Sequence, residues 1–201
     1  MKRTVGVLLF DQFELLDVFG PLEMFSMLPD DFAIRLISQQ APVVACNGGP
    51  RSVIDDHFAD DRRYDILMVP GGWGTRREVD NAALLHWLAG ASERAEIVAS
   101  VCTGSALLAK AGVLDGRRAT TNKNAFDWVV SQGPKVQWQR RARWVEDGKF
   151  ITSSGVSAGT DMALALIARL CGIARARQVA DWAEYTWNED STNDPFARAD
   201  G

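Results

Sequence analysis

One cysteine lies at a predicted strand-to-helix turn, between an apolar run and a run of small residues. The stretch "EIVASVCTGSALLAKAG" places Cys102 after a predicted strand and before a predicted helix. A residue at such a strand-to-helix turn is exposed above the sheet and often has a strained backbone. The start of a helix favours negative charge, which lowers the pKa of a thiol and produces the nucleophilic thiolate. We therefore predict a nucleophile at Cys102, beside Thr103 and Gly104 N–H groups that could stabilise a substrate anion.

The other cysteines and both histidines have no comparable setting. Cys46 lies beside a predicted hairpin turn and Cys171 near the end of an apolar helix face, so both are predicted to be core residues. His57 lies in the charged stretch "DDHFADD" and His86 on a predicted helix, both far in sequence from Cys102. A Cys–His catalytic pair is therefore poorly supported. No Cys or His spacing matches a zinc site.

Two carboxylates follow the first predicted strand and are the alternative partners for a thiolate. Glu14 and Asp17 lie in "DQFELLDVFGP", which we expect to be a loop at the carboxyl end of that strand. Burial and the like charge of a thiolate would raise the pKa of a nearby carboxyl, which could then donate a proton to sulfur or to a substrate. Either residue could instead cap a helix that begins at Pro21. Taken alone, the two residues favour the capping role.

The elements that must position these residues alternate between strand and helix patterns. Strand patterns cover residues 4–10, 32–38, 65–70, 96–101 and 117–122, with a hairpin around 47–49 and two extended segments that meet at a turn at 147–148. Helix patterns begin at Pro21 and cover 77–95, 103–112, 124–133, 157–172 and 173–187. Trp182 and Trp187, on the last of these, are expected in the core.

This alternation predicts an α/β fold with a largely parallel sheet covered on both faces. Sites in such sheets form at the carboxyl ends of the strands, in the loops that follow them. Two of those ends are conspicuous here, the glycines of "PGG" and the cysteine of "VCTGS". We therefore expect a pocket for a small-molecule substrate or ligand at this edge of the sheet.

Composition limits the classes of protein to which the chain can belong. Its 201 residues are 47% hydrophobic, so we expect one domain over residues 1–201, with an irregular tail over about 188–201. The formal net charge is −4 and the pI about 5.2, which does not favour nucleic acid or an anionic membrane as a partner. No apolar stretch approaches the length of a membrane span. The three widely spaced cysteines, without a CxxC pair, predict a reducing cytoplasm.

Several separated motifs occur in the order found in one protein family. They are "FELLDVFGP", "VPGG", "VCTGSALLAKAGVLDGRRATT", "SAGTDMALALIARL" and "AEYTWNEDSTNDPF", so the similarity runs almost from end to end. The chain thereby resembles the ThiJ/PfpI superfamily, which is similar to the class I glutamine amidotransferases. Within it, the chain is most similar to the branch of isonitrile hydratase and the sensor domains of AraC-type regulators.

This resemblance implies a fold and a set of roles. The fold would be a flavodoxin-like sandwich with a cysteine on the nucleophile elbow, usually dimeric and without a cofactor, so we expect a homodimer with neither cofactor nor metal. Carried onto this chain, Cys102 is the nucleophile, and Thr103 and Gly72 supply oxyanion-type N–H groups. Asp17 matches the carboxylate that isonitrile hydratases use with their cysteine, whereas other branches place a glutamate that Glu14 could match. Of the two, Asp17 is preferred.

The chain also departs from the family pattern. Many relatives read "ATTHW" where this sequence reads "TTNKNAF", so Asn122 replaces a histidine. That replacement argues against protease and glyoxalase-like activities. Trp73 directly follows "PGG" and is expected to reshape the pocket rim and the choice of substrate. No helix-turn-helix segment follows the domain before Gly201, so direct binding to nucleic acid is not expected.

Three hypotheses share this predicted pocket. The first is a cofactor-free lyase of the isonitrile hydratase type, in which Cys102 attacks an isocyanide and Asp17 donates or relays a proton. The second is a stress or redox protein whose Cys102 is oxidised to sulfenate or sulfinate. The third is a module that senses a small metabolite and signals through dimer contacts. We rank the enzyme first, since Asp17 and Asn122 separate it from the others.

Overall fold

The strands form where the sequence has short apolar runs bounded by turn residues. The computed structural model describes residues 2–197. Within them the strands are β1 (Arg3–Leu8), β2 (Phe32–Ser38), β3 (Val43–Ala45), β4 (Arg51–Val53), β5 (Asp56–His57), β6 (Ile66–Val69), β7 (Ile97–Val101), β8 (Arg118–Ala119), β9 (Gln137–Trp138), β10 (Trp144–Asp147) and β11 (Phe150–Ser153). Every residue of β6 and β7 is buried, as expected for central strands with both faces covered.

Seven of these strands form one central sheet, in the spatial order β10-β11-β7-β6-β1-β2-β5. Neighbours in this sheet run parallel except β10, which pairs antiparallel with β11. Two further pairs are separate, the antiparallel hairpin β3–β4 and the parallel pair β8–β9. The mostly parallel sheet predicted from the sequence is confirmed.

The helices cover both faces of this sheet. They are α1 (Leu15–Ser26), α2 (Thr75–Glu78), α3 (Ala82–Arg94), α4 (Gly104–Lys110), α5 (Phe126–Gln132), α6 (Ala158–Cys171) and α7 (Ile173–Trp182). From β1 the chain moves to β2 on one side, whereas from β6 it moves to β7 and then β11 on the other. Because parallel crossovers are right-handed, these two directions place their helices on opposite faces. Accordingly α1 packs with α6, and α4 packs with α3 and α5.

The direction of winding changes between β1 and β6, which are neighbours in the sheet. At such a switch point the loops after two adjacent strands diverge, and a crevice opens at the carboxyl ends. The segments after β1, β6 and β7 meet there. They carry the carboxylates, the glycines and the cysteine that the sequence singles out.

The first helix starts earlier than predicted. We expected a loop up to Pro21, but α1 begins at Leu15 and contains the proline. A proline inside a helix removes one hydrogen bond, and here packing of α1 against α6 outweighs that loss. Gly20 allows the close approach, since a Cβ there would lie 2.6 Å from Thr160 Oγ1. As a consequence Asp17 lies in the first turn of a helix, not in a loop.

Two other expectations need correction. The helix predicted over 77–95 is divided into α2 and α3, because Asn81 starts a new helix by accepting a hydrogen bond from the Leu84 N–H at 3.2 Å. Trp182 is not a core residue, since 52% of it is exposed at the end of α7. Trp187 is partly buried against the core, and its Nε1–H donates to the carbonyl of Asp161 at 3.1 Å.

The chain after α7 contains neither helix nor strand in residues 183–197, yet it is anchored. Tyr185 Oη and the Asn188 N–H both donate to Asp161 Oδ1 at 3.0 Å. Asp194 is buried 3.8 Å from Arg143, which also binds Asp161. Residues 198–201 of the predicted tail lie outside the described residues, and the extent of the domain stays a prediction. None of the helices in residues 2–197 has the length and apolar character that crossing a membrane requires.

Candidate active site

Cys102 forms a nucleophile elbow between β7 and α4. Its φ is 56°, in the left-handed region that costs a residue with a side chain about 1–3 kcal/mol. The surrounding backbone enforces this conformation. The Cys102 N–H lies 3.2 Å from the Ser153 carbonyl and 3.3 Å from that of Ser154, and the Cys102 carbonyl accepts from Thr121 Oγ1 at 2.8 Å.

Neighbouring strands end in glycines that let the backbone approach the thiol. After β11, a Cβ at Gly155 would lie 2.6 Å from Cys102 Sγ and 2.5 Å from Asn122 Nδ2. After β6, a Cβ at Gly71 would lie 2.5 Å from the Thr103 nitrogen and 2.9 Å from Asp17 Oδ2. The site is therefore closed by backbone on two sides, and any side chain at either glycine would displace it.

Asp17 lies beneath the elbow, fully buried at the start of α1. Its Oδ2 accepts a hydrogen bond from the Gly71 N–H at 2.9 Å, and its carboxyl is close enough to the Cys102 thiol for the two groups to shift each other's pKa. Among residues 2–197, Oδ1 has no hydrogen-bond partner. The pKa of Asp17 is raised to about 8. Burial is the main cause and the charge of Glu14 acts in the same direction, whereas the Gly71 hydrogen bond lowers the pKa.

Burial also dominates the ionisation of Cys102, contrary to the pKa-lowering effect expected from the helix start. Desolvation raises the pKa of the Cys102 thiol well above its usual range, and the charge of Asp17 adds to this. Hydrogen bonds from the Thr103 N–H and the Asn122 side chain act in the opposite direction. The residue is only 6% exposed, so desolvation is the larger effect.

The thiol and the carboxyl therefore behave as one titrating pair. Two adjacent buried acids cannot both lose their protons at low cost. Because the pKa of Asp17 is raised to about 8 and that of Cys102 well above its usual range, both groups hold their protons at neutral pH. The arrangement can thus present a nucleophile and supply a proton within one hydrogen bond.

Thr103 and Gly72 meet beside the sulfur, but in different ways. The Thr103 N–H donates to Cys102 Sγ, whereas the Gly72 N–H donates to the Thr103 hydroxyl oxygen at 3.1 Å. The Gly72 N–H therefore already has a partner in this structure. An oxyanion role for either group stays a prediction.

A pocket of about 280 Å³ opens above the thiol. It is lined by Glu14, Gly72, Trp73, Arg76, Cys102, Thr103, Asn122, Asn124, Ala125 and Val156. Of the two carboxylates, Glu14 faces this pocket, whereas Asp17 lies behind the thiol and does not line it. Neither caps α1 with its side chain, so the capping alternative for these residues is wrong.

Three residues at this site were not identified from the sequence as site residues. Asn122 accepts the Ala125 N–H at 3.0 Å through Oδ1, which leaves its amide nitrogen to donate to the thiol. The available signal was the family resemblance, which implies a histidine at this position. Gly155 gave no signal of its own, because the order of strands that places it beside β7 is known only from the structure. Nothing in the sequence indicated Arg76.

The remaining candidates lie elsewhere. His57 is on the edge strand β5 and His86 is exposed on α3, and neither lines the Cys102 pocket. Cys46 is buried and Cys171 half-buried, and neither lines the Cys102 pocket. In the described part of the chain, no group of three or more His, Cys, Asp or Glu side chains could hold a metal ion. A larger cavity of about 420 Å³ lies between the segments that follow β1 and β2, strand β3 and the start of α3, and it does not include the thiol.

Comparison with known proteins gives consistent matches. The model of the DJ-1/PfpI family matches residues 3–169. An isonitrile hydratase from Pseudomonas putida is 34% identical over 92% of this chain and 79% of its own length. The HTH-type transcriptional regulator CdhR from Pseudomonas aeruginosa is 35% identical over 73% of this chain, which spans only 43% of the regulator. A solved THiJ/PfpI family protein from Pseudomonas syringae has a TM-score of 0.85 and 29% identity, with 94% of this chain and 77% of that chain covered.

Proposed function

Because the chain belongs to the DJ-1/PfpI family, we propose that it is a cofactor-free, cysteine-dependent lyase of the isonitrile hydratase type. The observation that carries this proposal is the buried Cys102–Asp17 pair on a strained elbow. The similarity to a named isonitrile hydratase supports the same reaction class. The reaction adds one water molecule to an isocyanide and yields an N-substituted formamide.

The pair supplies both the nucleophile and the proton. Cys102 Sγ attacks the isocyanide carbon and forms a carbon–sulfur bond, while the proton shared with Asp17 passes to that carbon and gives a thioimidate. A water molecule then adds to the thioimidate carbon, with Asp17 accepting and returning protons. The carbon–sulfur bond breaks, the thiol regains its proton and the formamide leaves.

Residues around the thiol would stabilise this sequence of states. Asn122 and the Thr103 N–H already donate to sulfur and so favour its anionic form. The Gly72 N–H would contribute only if it exchanged the Thr103 hydroxyl for the substrate. Glu14 faces the pocket and would act on the bound water or substrate instead of on sulfur.

The test is turnover of a panel of alkyl and aryl isocyanides, followed by formamide appearance. We expect turnover by the parent protein and none above background for Cys102→Ala. Cys46→Ala is the matched control, because it removes another buried thiol outside the pocket and should retain parent turnover. Absence of turnover across the panel in the parent protein would refute the proposal.

A sensing module is the second candidate. It is favoured by one observation, the 35% identity to an HTH-type transcriptional regulator that this chain matches over 73% of its length. Such a module would bind a small molecule at the Cys102 pocket without consuming it. Ligand binding that survives Cys102→Ala, without any turnover, would support this candidate over the enzyme.

A redox role has less support from the site. Oxidation to sulfenate or sulfinate proceeds from an accessible thiolate. Here the thiol is almost fully buried, and burial raises its pKa. Peroxide titration of Cys102 with intact-mass detection would reveal the role if sulfinate formed at low peroxide.

We further propose that the protein acts in the cytoplasm as a homodimer. Leu15, Leu16 and Phe19 expose apolar side chains along α1, a face that a second copy would cover. Sedimentation equilibrium should give twice the chain mass for the parent protein and the single mass for Phe19→Glu. A monomeric parent would contradict this part of the proposal.

A further inference from the structure

Arg76 is a cation on the wall of the Cys102 pocket that the proposed chemistry does not use. It follows α2's first residue and lines the pocket together with Cys102 and Glu14. Burial lowers the pKa of Arg76 and the charge of the Cys102 sulfur acts in the opposite direction, so the two groups affect each other. The guanidinium still stays charged, as arginines in proteins do.

Two tryptophan rings lie against this guanidinium. Its central carbon lies 4.1 Å from the Trp128 ring centroid and 5.0 Å from that of Trp73. Both distances are within the range of cation–π interaction. Aromatic rings of this kind occupy the faces of a guanidinium and leave its edges, which carry the N–H groups, for other partners.

Most N–H groups on those edges have no close hydrogen-bond partner within residues 2–197. Nη1 makes long contacts, 3.3 Å to Thr75 Oγ1 and 3.5 Å to the Gly72 carbonyl. In the part of the chain that the structure describes, Nη2 and Nε have no hydrogen-bond partner, and no carboxylate, including Glu14, lies within 4.0 Å of the guanidinium. Because Arg76 is half-buried and lines the pocket, a ligand in the pocket can reach these N–H groups.

The next residue shows the contrast. Arg77 binds Glu78 at 2.8 Å and lies 3.6 Å from Asp11, and it is exposed outside the pocket. The two arginines are adjacent on one helix, yet only Arg76 is held by aromatic rings and lacks a carboxylate. The guanidinium of Arg76 is therefore available to bind an anionic ligand that is not part of the chain.

We propose that Arg76 makes the Cys102 pocket selective for small electrophilic substrates that carry a carboxylate. A carboxylate matches the planar fork of a guanidinium and binds it through two parallel hydrogen bonds. The pocket volume of about 280 Å³ leaves room for a small organic molecule beside Cys102. The pocket thus fits a short organic acid with its reactive carbon at Cys102. This inference names the substrate class of the proposed function and rests on it for the reaction, but not for the binding.

The first experiment compares two alkylating reagents that differ only in charge. Iodoacetate and iodoacetamide both form a bond from Cys102 sulfur to a methylene carbon, with loss of iodide from the carbon and of the thiol proton to solvent. Rates at Cys102 are measured by peptide mass spectrometry. We expect the iodoacetate-to-iodoacetamide rate ratio to fall at least about tenfold in Arg76→Met, with the iodoacetamide rate within about threefold of the parent.

Two variants keep this experiment decisive. Arg77→Met removes the same charge from the neighbouring position and should keep the parent ratio. Arg76→Lys keeps the charge without the fork and should give an intermediate ratio, and it replaces Arg76→Met if that variant fails to fold. An unchanged ratio in folded Arg76 variants would overturn the proposal. An equal decrease in the alkylation rate with both reagents would also overturn the proposal, because Arg76 would then act on the thiolate and not on the carboxylate of the reagent.

The second experiment uses isocyanoacetate and its methyl ester as paired substrates. We expect Arg76→Met to raise KM for isocyanoacetate at least about tenfold and to leave KM for the ester within about threefold. If neither isocyanide turns over while the alkylation ratio depends on Arg76, the reaction is wrong and the carboxylate site stands. If both turn over and neither measurement depends on Arg76, the reaction stands and the carboxylate site is wrong.

Discussion

At the Cys102 sulfur two opposing influences meet. Burial and the neighbouring carboxyl hold the thiol neutral, while the Thr103 N–H and the Asn122 amide favour the anion. The pKa of Asp17 is also raised, to about 8, so at neutral pH the pair keeps its protons instead of releasing one to solvent. A resting thiol of this kind is protected from unspecific reaction and becomes a nucleophile when a substrate carbon is ready to take the proton.

The contact between Gly155 and the thiol predicts the effect of a single methyl group. A Cβ at this position would lie 2.6 Å from Cys102 Sγ, so Gly155→Ala should push the sulfur or the Asn122 amide out of place. We expect alkylation of Cys102 by iodoacetamide to slow at least about tenfold while the protein remains folded. The rate is measured by peptide mass spectrometry and folding by circular dichroism.

Gly90→Ala is the matched control. Gly90 lies within α3, and a Cβ there would meet only Arg94 Nη1 at 3.5 Å. The control should keep the parent alkylation rate and gain about 0.5–1 kcal/mol of stability from the better helix former. If Gly155→Ala reacted as fast as Gly90→Ala, the close approach would not govern the thiol.

The sequence was sufficient for the residues whose position follows from a local motif. Cys102 stands between a strand and a helix pattern, so its elbow could be predicted. The family resemblance favoured Asp17 over Glu14, and the structure places the Asp17 carboxyl against the thiol. Arg76 and Gly155 could not be predicted in the same way, because separate segments bring them to the thiol only in the folded sheet.

At the scale of elements, the switch in winding direction creates the site. The ends of β6, β7 and β11 converge on Cys102, and the start of α1 brings its carboxyl beneath them. Strand patterns were predictable because β2 and β7 are short apolar runs between turns. The start of α1 was not, since the local preference of proline for a first turn is weaker than the packing of the whole helix against α6.

The tail after α7 is joined to the body by a buried ionic cluster, and this gives a prediction at the same scale. Arg143 binds Asp161 and lies 3.8 Å from Asp194, all three almost fully buried. Arg143→Met should lower the free energy of unfolding by about 3–5 kcal/mol, because both carboxylates would remain buried without a cation partner at that position. Chemical denaturation followed by tryptophan fluorescence measures the loss.

Arg141→Met serves as the control for this cluster. Arg141 is exposed, and its side chain makes one long contact of 3.5 Å to Asn193. Its loss should change the free energy of unfolding by less than about 0.5 kcal/mol. A comparable small loss for Arg143→Met would show that the cluster does not hold the tail.

At the scale of the whole molecule, the raised pKa of Asp17 makes the folded protein less stable as the pH rises. The pKa of Asp17 is near 3.8 in the unfolded chain and about 8 in the folded protein. Between these values the folded protein holds a proton that the unfolded chain has lost. The contribution of Asp17 to stability is therefore complete below about pH 3.8 and is lost progressively as the pH rises to about 8.

Asp17→Asn should remove this dependence, since an amide does not titrate. We expect the difference in free energy of unfolding, variant minus parent, to increase steadily between pH 5 and pH 8. Denaturation of both proteins across this range gives the difference, in which the other titrating groups cancel. A difference that stayed constant with pH would mean that Asp17 keeps an ordinary pKa.

The most direct test of the account is the kcat/KM of Asp17→Asn with an isocyanide that the parent protein hydrates, beside that of Glu14→Gln. A buried proton donor at Asp17 predicts a loss of at least about 100-fold for Asp17→Asn. Glu14 faces the pocket and makes no hydrogen bond to Cys102 or Asp17, so Glu14→Gln should lose less than about tenfold. The opposite order of losses would contradict the account, because the proton would then come from the pocket side and not from beneath the elbow.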